Sequence, residues 1–71
     1  MTSAWKGAKA KRVLGALLRN GWEITRTKGS HRTLEKAGST PYHFAFHDSE
    51  EIGPKMIAAI AKRTGLKPGD L

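Results

Sequence analysis

The fold is set by residues 22–36, which read WEITRTKGSHRTLEK. The first part of this stretch alternates apolar and polar side chains, with Trp22 and Ile24 on one face. A period of two is typical of a half-buried strand. Lys28-Gly29-Ser30 reads as a turn, and residues 31–36 read as a second, weaker strand. We therefore expect an antiparallel hairpin in the middle of the chain.

Helices are expected on both sides of this hairpin. Apolar residues recur at helical spacing over residues 9–20, and Gly21 is placed to end that helix. A third strand is predicted over residues 42–47. Pro54 then suits the first position of a helix that Gly65 ends. This order predicts an α+β fold of the α-β-β-β-α type, a three-stranded antiparallel sheet with two helices on one face and the other face exposed.

The size of the chain predicts one domain over residues 1–71, with a core over about 8–67 and a loose tail at 1–6. A domain this small buries only about 60% of the surface that its unfolded chain exposes, so a partner could contribute to its stability. The chain has no cysteine, which fits a reducing cytoplasm. It also has no signal-peptide pattern and no run of about 20 apolar residues. We expect a cytoplasmic protein that makes no use of a membrane.

The positive charge of the chain is confined to its first half. The net charge is +7, and residues 1–36 hold nine Lys or Arg against two Glu. Residues 37–71 hold four basic and four acidic side chains. A one-sided basic field is typical of a protein that binds a polyanion. Nucleic acid is the favoured ligand, and the alternative is a basic domain without one.

His31 is the strongest candidate for chemistry because it lies between Lys28 and Arg32 near the predicted turn. Histidine is the side chain whose unperturbed pKa allows proton exchange near neutral pH. Cations on either side could hold a phosphate next to it. This combination favours RNA cleavage, and the alternative is a surface histidine in a basic hairpin. Arg32 has the parity of the core residue Leu34, so we expect it to extend outward along the sheet.

The alternation also predicts which histidines share a face. If the even-numbered apolar residues point into the core, all three histidines point to the open face. A register that leaves a five-residue loop sets Leu34 opposite Phe44 and His31 opposite His47, with Cβ atoms about 5 Å apart. Such a pair could act as general base and general acid, which makes His47 a second candidate. His43 is interpreted as an ordinary exposed strand residue.

A metal site is the weaker interpretation of these histidines. Two imidazoles could bind a metal with Glu35 or Asp48 as a third ligand. The spacing matches no recognised ligand motif, however. We therefore expect neither a metal nor another cofactor.

The chain resembles the HicA toxins, also called the YcfA-like family, of bacterial toxin–antitoxin modules. The resemblance covers roughly residues 8–67, and it rests on residues 17–23, on residues 26–31 with their Gly-Ser-His element, on the aromatic strand ending in His47, and on residues 61–66. It implies a fold similar to a double-stranded-RNA-binding domain and ribosome-independent cleavage of mRNA. It also implies neutralisation by a HicB-type antitoxin, with which the chain would form a hetero-oligomer. The family's catalytic histidine maps to His31.

The leading hypothesis is therefore a toxin of a type II module, a metal-independent endoribonuclease with His31 as general base. We expect RNA to contact the basic and turn residues of the first half, namely Lys9, Arg12, Arg26, Lys28, Gly29, Ser30 and Arg32. The alternative is a non-catalytic module of the same fold that binds RNA or an antitoxin. Recognition of RNA shape and phosphates needs the basic face but no histidine.

Overall fold

The computed structural model describes residues 5–71, so the predicted tail lies partly outside it. Residues 1–4 of that tail are outside the described residues. Trp5, the first described residue, is half-buried and packs against the core. The tail prediction can therefore be examined only at Trp5 and Lys6, and at Trp5 the chain already contacts the domain.

Within residues 5–71 the chain forms two helices, a three-stranded antiparallel sheet and a short two-stranded ladder. In chain order the elements are β1 (Ala8–Lys9), α1 (Ala10–Arg19), β2 (Glu23–Lys28), β3 (His31–Glu35), β4 (Tyr42–Ala45), β5 (Glu51–Ile52), α2 (Pro54–Thr64) and a 3₁₀ turn (Pro68–Asp70). The predicted α+β class and α-β-β-β-α order are confirmed. The β1–β5 ladder is an addition, because two-residue strands are too short to give a periodic signal. Of these two helices, neither is long and apolar enough to cross a membrane.

Both helices and one face of the sheet share a single apolar core. Trp22, 2% exposed, joins the start of β2 to the end of α2, since its indole N–H donates to the Thr64 carbonyl at 3.3 Å. Each fully buried aliphatic or aromatic side chain contributes roughly 1.5–3 kcal/mol relative to an exposed one. The largest fully buried side chains are Val13, Leu17, Leu34, Phe44, Ile52, Ile57 and Ile60. The sheet thus has one face against the helices and one face free.

The register between β3 and β4 differs by two residues from the predicted one. His31 lies opposite Ala45, and Leu34 lies opposite Tyr42. The predicted pairings of His31 with His47 and of Leu34 with Phe44 are therefore wrong. Because the shift is even, the faces are unchanged, and all three histidines are exposed as predicted.

A turn just after β3 explains this shift. The Ser39 N–H donates to the Lys36 carbonyl at 3.0 Å, and Gly38 has a φ of 80°. The left-handed region is readily adopted by glycine. The turn takes Lys36 out of the ladder, so the connection between the paired strands is longer than the predicted five residues. Each β3 residue therefore pairs with a β4 residue two positions earlier than predicted, as Leu34 does with Tyr42.

β2 contains a bulge that the simple alternation did not predict. The register with β3 shifts between Ile24 and Arg26, which leaves Thr25 as the extra residue. One extra residue moves every later side chain of the strand to the opposite face. Arg26 and Lys28 therefore lie on the exposed face of the sheet. Ile24, predicted to be in the core, is 40% exposed because it lies beside the bulge on an edge strand.

The end of the described chain folds back on α1. Arg12 donates to the Leu71 carbonyl and Arg19 donates to the Asp70 carbonyl, each at 2.8 Å. The Asn20 side-chain amide donates to the Asp70 carboxylate at 2.8 Å. These contacts hold residues 67–71, the last described segment, along the basic surface of the helix.

We expect acid to release residues 67–71 from α1. Hydrogen bonds from Asn20 and from the Lys67 backbone lower the pKa of Asp70 below its ordinary value of 3.8. Because the pKa of Asp70 is depressed in the folded state, its carboxylate stabilises the docked position of residues 67–71 above pH 3.8. This stabilisation is lost as the pH falls through the lowered pKa. NMR signals of the Asn20 side-chain amide and the Lys67 amide should titrate together below that pH. The titration should disappear in Asp70→Asn, and its persistence there would assign the transition to another group.

Candidate functional site

His31 is the first residue of β3 and directly follows a two-residue turn. Lys28 and His31 are paired across this turn. Gly29 has a φ of 60°, and Ser30 has no positive φ. Glycine at the first central position is typical of a type II′ hairpin turn, whose twist matches that of the flanking strands. The Gly-Ser sequence therefore sets the imidazole of His31 opposite the ammonium-bearing chain of Lys28.

The observed registers define the neighbours of His31 on the exposed face. Lys28 lies directly opposite on β2 and Ala45 directly opposite on β4, where Cβ atoms are about 5 Å apart. Arg26 and His43 are diagonal neighbours, at about 7–8 Å by the same geometry. The small side chain of Ala45 covers little of the imidazole. An exposed histidine thus has a cation beside it, with a second cation and a second histidine further along the face.

His43, which the sequence indicates to be an ordinary exposed strand residue, is an exposed residue of β4 that lies diagonal to His31. Its Nδ1 lies 3.4 Å from the hydroxyl oxygen of Thr33, the residue opposite it on β3. The Thr25 hydroxyl in turn donates to the Thr33 carbonyl at 3.4 Å. Parity alone put His43 on the correct face. Its position diagonal to His31 follows only from the observed register.

His47 lies beyond the end of β4, in the connection that leads to β5. Its backbone N–H donates to the Glu50 carboxylate at 3.2 Å. The same connection accepts hydrogen bonds from α1, from Ala10 N–H to the Glu50 carbonyl at 2.8 Å and from Lys11 N–H to the Asp48 carbonyl at 3.1 Å. These bonds satisfy two of the amides left free at the start of a helix. His47 is therefore carried by a connection that is fixed to α1 rather than by the sheet.

Arg32 lies on the core-facing side of β3, whereas His31 lies on the exposed side. Its side chain is only 18% exposed, and its Nη2 is 3.0 Å from Oδ1 of Asp48. Its Nη1 is buried and has no hydrogen-bond partner among the described residues. The predicted outward extension of Arg32 thus ends at a carboxylate on the protein. The cations that share a face with His31 are Lys28 and Arg26.

Lys9 and Arg12, the other predicted RNA contacts, do not belong to the sheet that carries His31. Lys9 is in β1 and pairs with Glu51 of the small ladder. Arg12 is on α1, where it donates to the Leu71 carbonyl. Both are exposed, so they form a second basic region rather than part of the hairpin site.

Charge is unevenly distributed along the exposed face of the sheet. The turn end of the hairpin carries Lys28 and, two pairs further on, Arg26. At the other end of the same ladder, Glu23 and Glu35 face one another. An anion will therefore be attracted to the turn end, which is the end where His31 lies.

The alternative of a metal site finds no side-chain cluster in the described part of the chain. Among residues 5–71, no three histidine or carboxylate side chains are close enough together to hold a metal ion. Of the two acids considered as a third ligand, Asp48 is paired with Arg32 and Glu35 lies opposite Glu23. The histidines are thus arranged as separate exposed groups on this face and its margin.

A comparison with protein families identifies what kind of protein carries this site. The family described as the HicA toxin of bacterial toxin–antitoxin modules matches residues 10–66, a range that includes both helices and the whole three-stranded sheet. The chain belongs to the HicA toxin family. Membership of the HicA family makes it a toxin-type chain, for which an antitoxin partner is implied in general. A comparison with curated proteins found no match.

The match to the HicA family includes the hairpin, the diagonal neighbours His31 and His43, and the Arg32–Asp48 pair. It leaves out residues 5–9 and 67–71. Asp70 and Leu71 accept hydrogen bonds from Arg19 and Arg12 of α1, and residues 5–9 line a groove together with α1 residues. The family match therefore contains α1 itself but not the two segments that flank its exposed side.

Proposed function

We propose that this HicA-family chain is an endoribonuclease that cleaves mRNA, with His31 as the general base. The observation that carries the proposal is the arrangement on the exposed face of the sheet. His31 lies opposite Lys28 and diagonal to Arg26, at the positive end of the hairpin. A proton acceptor beside two cations is what cleavage of a phosphodiester needs. The family to which the chain belongs supports the same conclusion.

The proposed reaction uses the RNA's own 2′-hydroxyl as nucleophile. His31 removes the proton from that hydroxyl, and the 2′-oxygen forms a bond to the adjacent phosphorus. Lys28 and Arg26 stabilise the negative charge that develops on the phosphate oxygens. The bond from phosphorus to the 5′-oxygen breaks, and that oxygen takes up a proton as it leaves. The first product carries a 2′,3′-cyclic phosphate, and the other carries a 5′-hydroxyl.

The proton for the leaving 5′-oxygen has two candidate donors. His43 is diagonal to His31 within the ladder, and its ring is next to the Thr33 hydroxyl. His47, the donor predicted from the sequence, follows β4 on the turn side of His31. Protonated imidazole is a suitable general acid at neutral pH. Which one acts depends on the direction in which the RNA chain crosses the sheet.

The antitoxin that we propose as partner is a HicB-type protein that covers this exposed face. The helices pack on the opposite side of the sheet, so the site is open to a protein as well as to RNA. A partner on this face would exclude RNA from His31 and neutralise the toxin by direct blocking. The proposed substrate, mRNA, also implies that the toxin acts in the cytoplasm.

Product chemistry is the sharpest test of the proposed reaction. Protein freed of any partner should cut an end-labelled RNA in the presence of EDTA and leave 2′,3′-cyclic or 3′-phosphate ends. Replacing the 2′-hydroxyl by hydrogen at the cleaved position alone should block cleavage there and leave other sites unaffected. Mass spectrometry of the fragments measures both results. Products with a 5′-phosphate, or cleavage of the deoxy position, would contradict the proposal.

A further inference from the structure

An open groove lies on the exposed side of α1, away from the sheet. It is lined by residues 5–9, by Gly15 of α1, and by Pro68 and Leu71 near the end of the described chain. The groove has a volume of about 1080 Å³. That is slightly above the range of roughly 300–1,000 Å³ typical of small-molecule pockets. The space is large enough for part of a polymer.

The groove is strongly basic. Of the described residues that line it, one is acidic, Asp48, and five are basic, namely Lys6, Lys9, Lys11, Arg12 and Arg19. Arg12 and Arg19 each donate to one carbonyl oxygen of residues 67–71. A guanidinium has five N–H donors, so each side chain is oriented by this segment while most of its donors remain for a ligand. The lining therefore fits an extended anion.

Two further residues indicate what kind of anion fits. Trp5 lines the groove and is only partly buried, and aromatic side chains in basic grooves stack nucleic-acid bases. Gly15 is a poor helix residue, because glycine destabilises a helix interior by about 1 kcal/mol relative to alanine. A Cβ at Gly15 would meet only the Arg19 guanidinium, at 3.5 Å. Internal packing thus does not require glycine there, and the missing side chain leaves more room in the groove.

We propose that this groove binds a single-stranded segment of the RNA that is cleaved at the hairpin, with phosphates on Arg12 and Arg19 and a base against Trp5. The proposal rests on the proposed function for the identity of the ligand. The groove reaches the hairpin region through Asp48, which lines it and pairs with Arg32, the residue after His31. An acidic peptide would satisfy the cations equally well, but it would not use the indole wall.

Binding of a non-cleavable RNA tests the groove independently of catalysis. The probe is a fluorescent 2′-O-methyl oligonucleotide of ten residues, and its affinity is measured by anisotropy over a range of salt concentrations. The groove variant combines Arg12→Gln with Arg19→Gln. Its matched control combines Lys55→Gln with Lys62→Gln, which removes the same charge from exposed positions of α2 that do not line the groove.

The groove variant should lower the slope of log affinity against log salt by about 1.4, because each phosphate contact with a single strand contributes about 0.7. At 0.1 M salt this is a loss of roughly 25-fold. The control should keep the wild-type slope. Binding should also quench indole fluorescence in the wild type and not in Trp5→Phe, since Trp22 is buried.

Equal losses in the groove variant and its control would overturn the proposal, as would unchanged binding in both. Groove-dependent binding of a ten-residue glutamate peptide, with none of the RNA, would assign the groove to an acidic protein instead. Failure of the proposed function has a different result. In that case the groove variant still loses RNA affinity while the wild type leaves natural RNA uncut.

Discussion

His31→Ala is expected to lower the rate of RNA cleavage by about 10²–10⁴-fold, the usual contribution of a general base. The side chain is exposed and lies at a strand end beside a turn. Its removal should therefore change the free energy of unfolding by no more than about 0.5 kcal/mol. The measurement compares single-turnover cleavage of a labelled RNA by wild type and variant, with urea unfolding of both. Cells that express the variant should grow where the wild type arrests growth.

A folded His31→Ala protein that cleaves RNA at the wild-type rate would refute the assignment. His43→Ala and His47→Ala serve as matched variants, since each removes one exposed imidazole. The one that supplies the proton to the 5′-oxygen should lose activity on natural RNA. It should regain activity on a substrate whose 5′-oxygen is replaced by sulfur, a better leaving group. Loss of cleavage with both substrates would indicate a role in binding instead.

Phe44→Ala is expected to destabilise the domain by about 3–5 kcal/mol, the range for deleting a buried aromatic ring. Phe44 is fully buried and makes an edge-to-face contact with Phe46, their ring centroids 5.2 Å apart. The whole domain is expected to have a stability of only about 4–11 kcal/mol at 0.05–0.15 kcal/mol per residue. The variant should therefore lose a large share of its stability, and with a wild-type stability at the low end of that range it should be largely unfolded at about 37 °C. Urea unfolding followed by circular dichroism measures the loss.

The matched control for Phe44→Ala is Met56→Ala, because Met56 is a large apolar residue that is 49% exposed. It should shift the urea midpoint only slightly. If Phe44→Ala does not fold at all, Phe44→Leu provides the measurable intermediate, with an expected loss of about 1–3 kcal/mol. Equal stability of Phe44→Leu and the wild type would show that the ring is not part of a close-packed core.

The arrangement around His31 was only partly predictable from the sequence. Lys28 and His31 flank a two-residue turn, and local turn chemistry was enough to bring them together. Arg26 was predicted as a phosphate contact, but its parity with Ile24 would have set it on the core side. The bulge at Thr25 moves it to the face of His31. Arg32 was also predicted to contact phosphate, and it is paired with Asp48 on the core-facing side.

The bulge has a tertiary cause. The two-residue turn fixes one end of the hairpin, where Lys28 pairs with His31, and burial of Trp22 and Leu34 fixes the other end, where Ile24 pairs with Leu34. Between these ends β2 has one residue more than β3. The excess residue must leave the ladder, and it does so at Thr25. Neither end by itself requires a bulge.

The sequence by itself determined the order of the elements, the two helices and their ends, the faces of β3 and β4, and the basic character of the first half of the chain. These features depend on residues a few positions apart, such as the alternation around Leu34 or the left-handed Gly65 that ends α2. The tertiary structure alone decided the register of His31, the side of the sheet on which Arg26 and Arg32 lie, and the groove beside α1. Those features depend on contacts between distant residues, such as Trp22 with Thr64 and Arg19 with Asp70, which leave no periodic pattern in the sequence.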